Sequence, residues 1–175
     1  MVTFKDETLA PLAKRLRRFG IDRSDKQKGI WENDIHEIGY KYQMTDIGAS
    51  IGLAGLEEFD RTLAHRQAIY ARYVSHLKEV TGITIVDDFN PRKRHAAWLF
   101  TVLADRRVEL QKKLREHRIE SGQTHYRNDR YSVFNCHEEF PCMDAADDRY
   151  LVLPVHTKMS VEDADRICAV IRSGW

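Results

Sequence analysis

A chain of 175 residues, 42% hydrophobic and 31% charged, is long enough to bury one domain-sized core and too apolar to be disordered. Its 28 Lys and Arg against 27 Asp and Glu leave a formal charge of +1, which excludes an overall field that would recruit nucleic acid or an anionic membrane. Three cysteines, Cys136, Cys142 and Cys168, form no disulfide framework and fit a reducing, cytoplasmic setting, and the opening VTFKDETLA has neither the basic nor the apolar region of a signal sequence.

Val2, Thr3 and Phe4 read as the end of a strand. A helix follows that Asp6 or Thr8 can cap, with Leu9, Leu12, Leu16 and Phe19 three or four apart on one face and Pro11 tolerated in the first turn. Lys14, Arg15, Arg17 and Arg18 crowd its end and Gly20 stops it. This is ordinary chemistry for a helix C-terminus, so it argues only weakly for nucleic-acid contact. Residues 21–38 are polar and long for a connection without structure of its own; Trp31 and Ile35 are candidates to pin it to a partner or a further domain, and a solvated loop with one anchor reads equally well.

The segment GYKYQMTDIGASIGLAGL, residues 39–56, joins an aromatic and basic loop to a helix of very small residues. Thr45 or Asp46 supplies the N-cap, and the glycines within the helix require a packing or functional return, since each costs about 1 kcal/mol against alanine. Gly48 and Gly52 make a small-xxx-small pair, but Lys41, Asp46 and Glu57 deny it the apolar length of a membrane span. The order G-x-G-x-x-G of a dinucleotide site is absent. Tyr40, Lys41, Tyr42 and Gln43 stand before the positive end of the helix dipole, a combination suited to a phosphate. The same run also reads as a polar loop anchored by its tyrosines, and spacing alone favours that second reading.

From Leu56 to Val80 an apolar stripe, Leu56, Phe59, Leu63, Tyr70, Tyr73, Leu77 and Val80, predicts one long helix. Strands are predicted at residues 83–86 and 97–103 on either side of a basic loop tip, PRKRH, then a helix over 107–116 and an edge strand over 119–124. That order predicts a two-layer α+β unit with helices on one face of a small, mostly antiparallel sheet. QTHYRNDRY, residues 123–131, gathers His125, Tyr126, Arg127, Asn128 and Arg130. Guanidinium groups hold phosphate or carboxylate in two-pronged fashion and a histidine exchanges a proton near neutrality, although an exposed turn would look similar. Cys136, His137 and Cys142 have the wrong spacing for zinc and lack a second ligand pair. YLVLPVH, residues 150–156, reads as a buried strand, and Ser160 with Asp163 as the capping box of a last helix.

Three of these stretches together, GYKYQMTDIGASIGLAGLEEF, the His125-Tyr126 run and Leu153-Pro154-Val155-His156-Thr157-Lys158-Met159, resemble the DegT/DnrJ/StrS family of sugar aminotransferases. The resemblance covers the whole chain in order. It implies the aspartate-aminotransferase-like α/β fold with pyridoxal phosphate as cofactor. The implied activity moves an amino group from glutamate to a keto sugar nucleotide, as in lipopolysaccharide, O-antigen or other amino-sugar biosynthesis, and the implied assembly is a homodimer that builds each site from both subunits. It implies further that residues 1–40 are the tail of the large cofactor-binding domain and 41–175 the C-terminal small domain with the interdomain helix. Gln43 stands where an asparagine of this loop reaches the cofactor phosphate of the neighbouring subunit, with Lys41 and Tyr42 beside it. His125, Tyr126 and Arg127 stand at the substrate side. The family's cofactor lysine with its Gly-Glu-Gly-Gly context has no counterpart here, because Lys5, Lys14, Lys41 and Lys158 have other surroundings. The expectation is therefore the C-terminal portion of such an enzyme, starting just beyond that lysine and inactive alone, with no catalytic residue of its own. The competing expectations are a non-catalytic interaction module or one half of a split enzyme.

Overall fold

A computed structural model describes residues 2–32, 34–86 and 95–175. The chain divides into two compact units, Met1–Glu57 and Glu58–Trp175.

In the first unit, helix α1 (Leu9–Leu16) follows a turn in which the Asp6 carboxylate accepts from the backbone N–H and hydroxyl of Thr8, at 2.9 and 2.6 Å. Val2, Thr3 and Phe4 form no strand: a strand needs a ladder partner, and no described residue pairs with them. The stretch expected to lack structure contains α2 (Arg23–Gln27), started by Asp22, whose carboxylate accepts from the Ser24 N–H at 2.8 Å. Glu37 ties the far end of that stretch back to α1 by a two-pronged ion pair with Arg15, at 3.2 and 2.6 Å. Trp31 is 75% exposed, whereas Ile35 packs beside Gly20.

Gly20 and Gly39 approach each other too closely for any side chain. A Cβ on Gly39 would lie 2.2 Å from the Gly20 nitrogen, and Gly20 itself has φ +78°. This contact lays residues 39–43 along the end of α1, where the Tyr40 and Tyr42 N–H groups donate to the carbonyls of Leu16 and Arg17 at 2.8 and 2.9 Å. Helix α3 (Asp46–Glu57) starts at Thr45, whose hydroxyl accepts from the Gly48 N–H at 3.2 Å; Thr45 is the cap and Asp46 the first helical residue. No residue of α3 is buried.

The second unit begins with α4 (Phe59–Leu77). The single helix expected over residues 56–80 is thus two. Glu58 separates them as a turn residue at φ −94°, ψ −3°, with its carboxylate engaged by Arg61. Leu56 and Phe59, the first members of the expected stripe, are exposed, and burial begins at Leu63. Strands β1 (Ile83–Ile85), β2 (Phe100–Ala104) and β3 (Tyr150–Leu153) form an antiparallel sheet in that order, with Ile83 opposite Ala104 and Phe100 opposite Leu153. The remaining helices are α5 (Arg107–Glu116), α6 (Pro141–Asp147) and α7 (Val161–Arg172), with 3-10 turns at Asn128–Arg130 and Ser132–Phe134.

The core joins Ile69, Tyr73 and Leu77 of α4, Phe100 and Val102 of β2, Leu110 and Leu114 of α5, Leu151 and Leu153 of β3, and Ala164, Ile167 and Ile171 of α7. Such alternate burial along β2 and i, i+3, i+4 burial along the helices is what binary patterning demands of a two-layer α+β unit. The capping box of α7 is present as expected: the Ser160 hydroxyl accepts from the Asp163 N–H at 3.1 Å, and the Asp163 carboxylate accepts from the Ser160 N–H at 2.9 Å. The edge strand expected over 119–124 shrinks to one bridge, Gly122 to Val152, and the Gln111 side chain donates to the Ser121 carbonyl at 3.0 Å. Of the basic loop tip, residues 91–94 lie outside the described residues.

Candidate functional site

The backbone of residues 39–43 is held by α1, so the side chains of Tyr40, Lys41 and Tyr42 are presented outward; Tyr42 is 72% exposed, and the two phenol rings stand 5.6 Å apart at 41°. Gln43 is half buried and lines a cavity of about 330 Å³ with Lys14, Arg15, Arg17, Arg18 and Arg23. Arg15 is committed to Glu37, and the hydrogen bond between them raises the pKa of the guanidinium and lowers that of the carboxyl. The Asp22 carboxylate in the same wall caps α2. Several cations and an amide around one hollow form a donor set of the kind that holds phosphate. The sequence shows these arginines only as partners of a helix C-terminus; that they share a cavity with Gln43 depends on the Gly20–Gly39 contact, which no local pattern announces.

In the second unit, His125 and Tyr126 sit on the loop that carries the two 3-10 turns. His125 is exposed and lies 6.0 Å from Trp98, ring centre to ring centre, while Tyr126 meets Tyr131 edge-on at 5.2 Å. Trp98 is placed by α4, where the Arg66 guanidinium donates to the carbonyls of Ala97 and Trp98 at 3.0 and 2.8 Å. His125, Tyr126, Tyr131, Asp147 and Tyr150 face a hollow of about 560 Å³. Trp98 and Tyr131 are members of this cluster that the sequence names only as a strand residue and a neighbour.

Arg127, expected to face substrate, is 9% exposed, and its guanidinium is engaged by two carboxylates. Nε and one terminal nitrogen donate to Asp129 at 3.0 and 2.6 Å, and the other terminal nitrogen donates to Asp144. These bonds raise the pKa of Arg127 further and hold the Asp129 carboxyl below the usual carboxylate range. With Arg130 paired to Asp147 at 2.8 Å, the arginines pin the loop to α6. Proline at the start of α6 is an available signal for that helix.

The turn after β3 is gripped from α4: the Tyr73 hydroxyl donates to the Pro154 carbonyl at 3.0 Å, and His65 Nε2 bonds the Met159 carbonyl at 2.8 Å. His156, Thr157 and Lys158 project from that turn, exposed. Burial pushes the Cys168 thiol up to about 12, and among the described residues no group of three or more His, Cys, Asp or Glu is placed to hold a metal.

Set beside known proteins, residues 1–172 match the model of the DegT/DnrJ/EryC1/StrS aminotransferase family. The chain is 28% identical over 178 residues to a GDP-perosamine synthase of Caulobacter vibrioides, covering 98% of this chain and 46% of that protein. It is 27% identical to a UDP-4-amino-4,6-dideoxy-N-acetyl-beta-L-altrosamine transaminase of Campylobacter jejuni, with coverage of 93% and 44%. Among solved structures, AtS13 of Actinomadura melliaura superposes with a TM-score of 0.88 at 32% identity, over 99% of this chain and 46% of that one. The sugar aminotransferase CalS13 of Micromonospora echinospora does so with 0.88 at 26% identity, over 97% and 46%. The chain therefore spans about half the length of the proteins it matches. Its fold is the α/β fold of the sugar aminotransferases, and it belongs to the DegT/DnrJ/EryC1/StrS aminotransferase family.

Proposed function

We propose that this chain is the C-terminal part of a pyridoxal-phosphate-dependent aminotransferase that moves an amino group from glutamate to a keto sugar nucleotide, and that alone it does not turn over. The family match over residues 1–172 carries this reading, together with relatives whose names state GDP- and UDP-linked amino sugars. In it, residues 1–40 are the tail of the cofactor-binding domain, 41–175 the small domain, and the complete enzyme is a cytoplasmic homodimer.

The residues present fit the cofactor's phosphate end. Gln43 beside Lys14, Arg17, Arg18 and Arg23 supplies N–H donors and positive charge, and in this reading Gln43, Lys41 and Tyr42 hold the phosphate of the neighbouring subunit's cofactor. When bound, pyridoxal phosphate supplies an electrophilic carbonyl and an electron sink for amino transfer. This chain's contribution is to bind and orient. Tyr126 and Tyr131 form an aromatic wall beside substrate, and His125, steadied against Trp98, stands ready to exchange a proton at an imidazole nitrogen. Arg127 serves through Asp129 and Asp144, holding that loop in place rather than touching substrate.

The test uses the full chain with added pyridoxal phosphate and borohydride. The expected result is no single reduced adduct by mass spectrometry; one stoichiometric adduct on a defined lysine overturns the claim of inactivity alone. A second reading is one half of a split enzyme. Co-expression with the N-terminal half of a relative, restoring transamination, supports it, and a transaminating chain without that partner overturns both.

A further inference from the structure

The turn that delivers Trp98 to His125 is strained, and one of its fastenings is a titratable group. Ala97 is fully buried with φ +51°, a left-handed backbone that costs an alanine free energy and persists only where its neighbours over-determine it. Helix α4 supplies most of the hold. Arg66 donates to the carbonyls of Ala97 and Trp98, and the Gln67 amide donates to the His95 carbonyl at 2.7 Å. The remaining fastening is the His95 ring, whose Nδ1 accepts the Ala97 N–H at 2.8 Å. Trp98 is 63% exposed, so packing does little to fix its ring and the turn must do so.

An imidazole nitrogen that accepts an N–H carries no proton itself, so this bond needs a neutral ring with its proton on Nε2. Protonation makes donors of both ring nitrogens. Two N–H groups then face each other, and the Ala97 N–H, in a residue without exposed surface, loses its acceptor. The groups around the ring do not offset this. Tyr70 of α4 lies 4.7 Å away, ring centre to ring centre, Arg66 is a cation bonded to the next turn residues, and His125 lies across Trp98. Arg92, Lys93 and Arg94 precede His95 in the sequence, and among the described residues no carboxylate pairs with it. We propose that His95 is a pH-sensitive latch: neutral, it closes the turn and holds Trp98 beside His125; protonated, it opens the turn and releases Trp98. The latch is whole on the alkaline side and is lost as pH falls through the range in which imidazoles take up a proton, between about pH 8 and pH 5. It is a property of the turn and does not rest on the aminotransferase reading.

Amide hydrogen exchange and NMR on the full chain test it, in a His125→Gln background so that His125 does not titrate beside Trp98. The protection factor of the Ala97 amide is expected to fall about tenfold between about pH 8 and pH 5, with the Trp98 indole signal moving through the same transition. His95→Asn keeps an acceptor for the N–H two residues on, the geometry of an Asx-turn, and has no proton to gain. It is expected to keep Ala97 protected and the Trp98 signal unmoved across the same range. Ala97 protection that is independent of pH, or that falls equally in His95→Asn, overturns the proposal. If asparagine fails to close the turn on the alkaline side, the ring nitrogen shifts of His95 in the parent chain decide. An unprotonated Nδ1 there supports the latch, and a protonated Nδ1 overturns it.

Discussion

At the scale of single residues, Tyr73 shows how one side chain serves packing and position together. Its ring is fully buried against Phe100 at 4.8 Å, burial pushes its phenol pKa upward, and its hydroxyl holds the turn after β3 through Pro154. Tyr73→Phe keeps the packing and orphans one carbonyl, so a loss of about 1 kcal/mol is expected in urea unfolding. Tyr73→Ala adds a cavity and is expected to cost about 3–5 kcal/mol. Arg127 carries a second prediction. Its partner Asp129 has a folded pKa below the usual value, so the pair's stabilisation is whole above about pH 4 and is lost as pH falls through that lowered value. Thermal unfolding between pH 7 and pH 2 should therefore fall more steeply for the parent chain than for Asp129→Asn, and parallel slopes would refute the clamp. The sequence presents Arg127 as a free guanidinium because one of its partners, Asp144, lies 17 residues away; only the fold of α6 brings that carboxylate in.

Among the elements, those specified by nearby residues were legible and those set by distant ties were not. The capping box of α7, the helix at 107–116 and the strand beginning at Tyr150 are written in i, i+3 and alternating patterns. Ser160→Ala removes the acceptor of the Asp163 N–H, and about 1 kcal/mol of lost stability is expected, read from the urea midpoint at constant slope. By contrast, the tie of residue 121 to α5 is made by the Gln111 side chain, and the placement of Trp98 comes from Arg66 reaching across from α4. Side-chain to backbone bonds of this range leave no period in a sequence. The same holds for the phosphate-type cavity at Gln43, where the loop was legible as a candidate while its arginine wall was not.

For the whole molecule, the decisive asymmetry is in burial. Every buried large apolar residue among those described lies between Leu63 and Ile171, whereas in Met1–Glu57 the one buried residue is Gly20. Helix α3 sharpens this: Ile47, Ile51, Leu53 and Leu56 are each more than 60% exposed, and Gly52 and Gly55 have open space where a Cβ would stand. A helix apolar on all sides holds its shape by being covered, since isolated helices of about 12 residues are marginal in water. The second unit has the packing to be stable by itself, and the first has backbone hydrogen bonds and ion pairs near water such as Arg15–Glu37 and Lys28–Asp25, which contribute little. Hydrogen exchange on the full chain is therefore expected to divide near Glu58. Amides of α4, β2, β3 and α7 should exchange at rates set by cooperative unfolding, and those of α1 and α3 orders of magnitude faster. An apolar dye should bind the chain, and Ile51→Glu with Leu53→Lys should suppress the dye signal without moving the urea midpoint of the second unit. Protection of α3 equal to that of α7 in the monomer would show that the first unit has a source of stability other than burial. Protection that rises with protein concentration would assign the cover to a second copy.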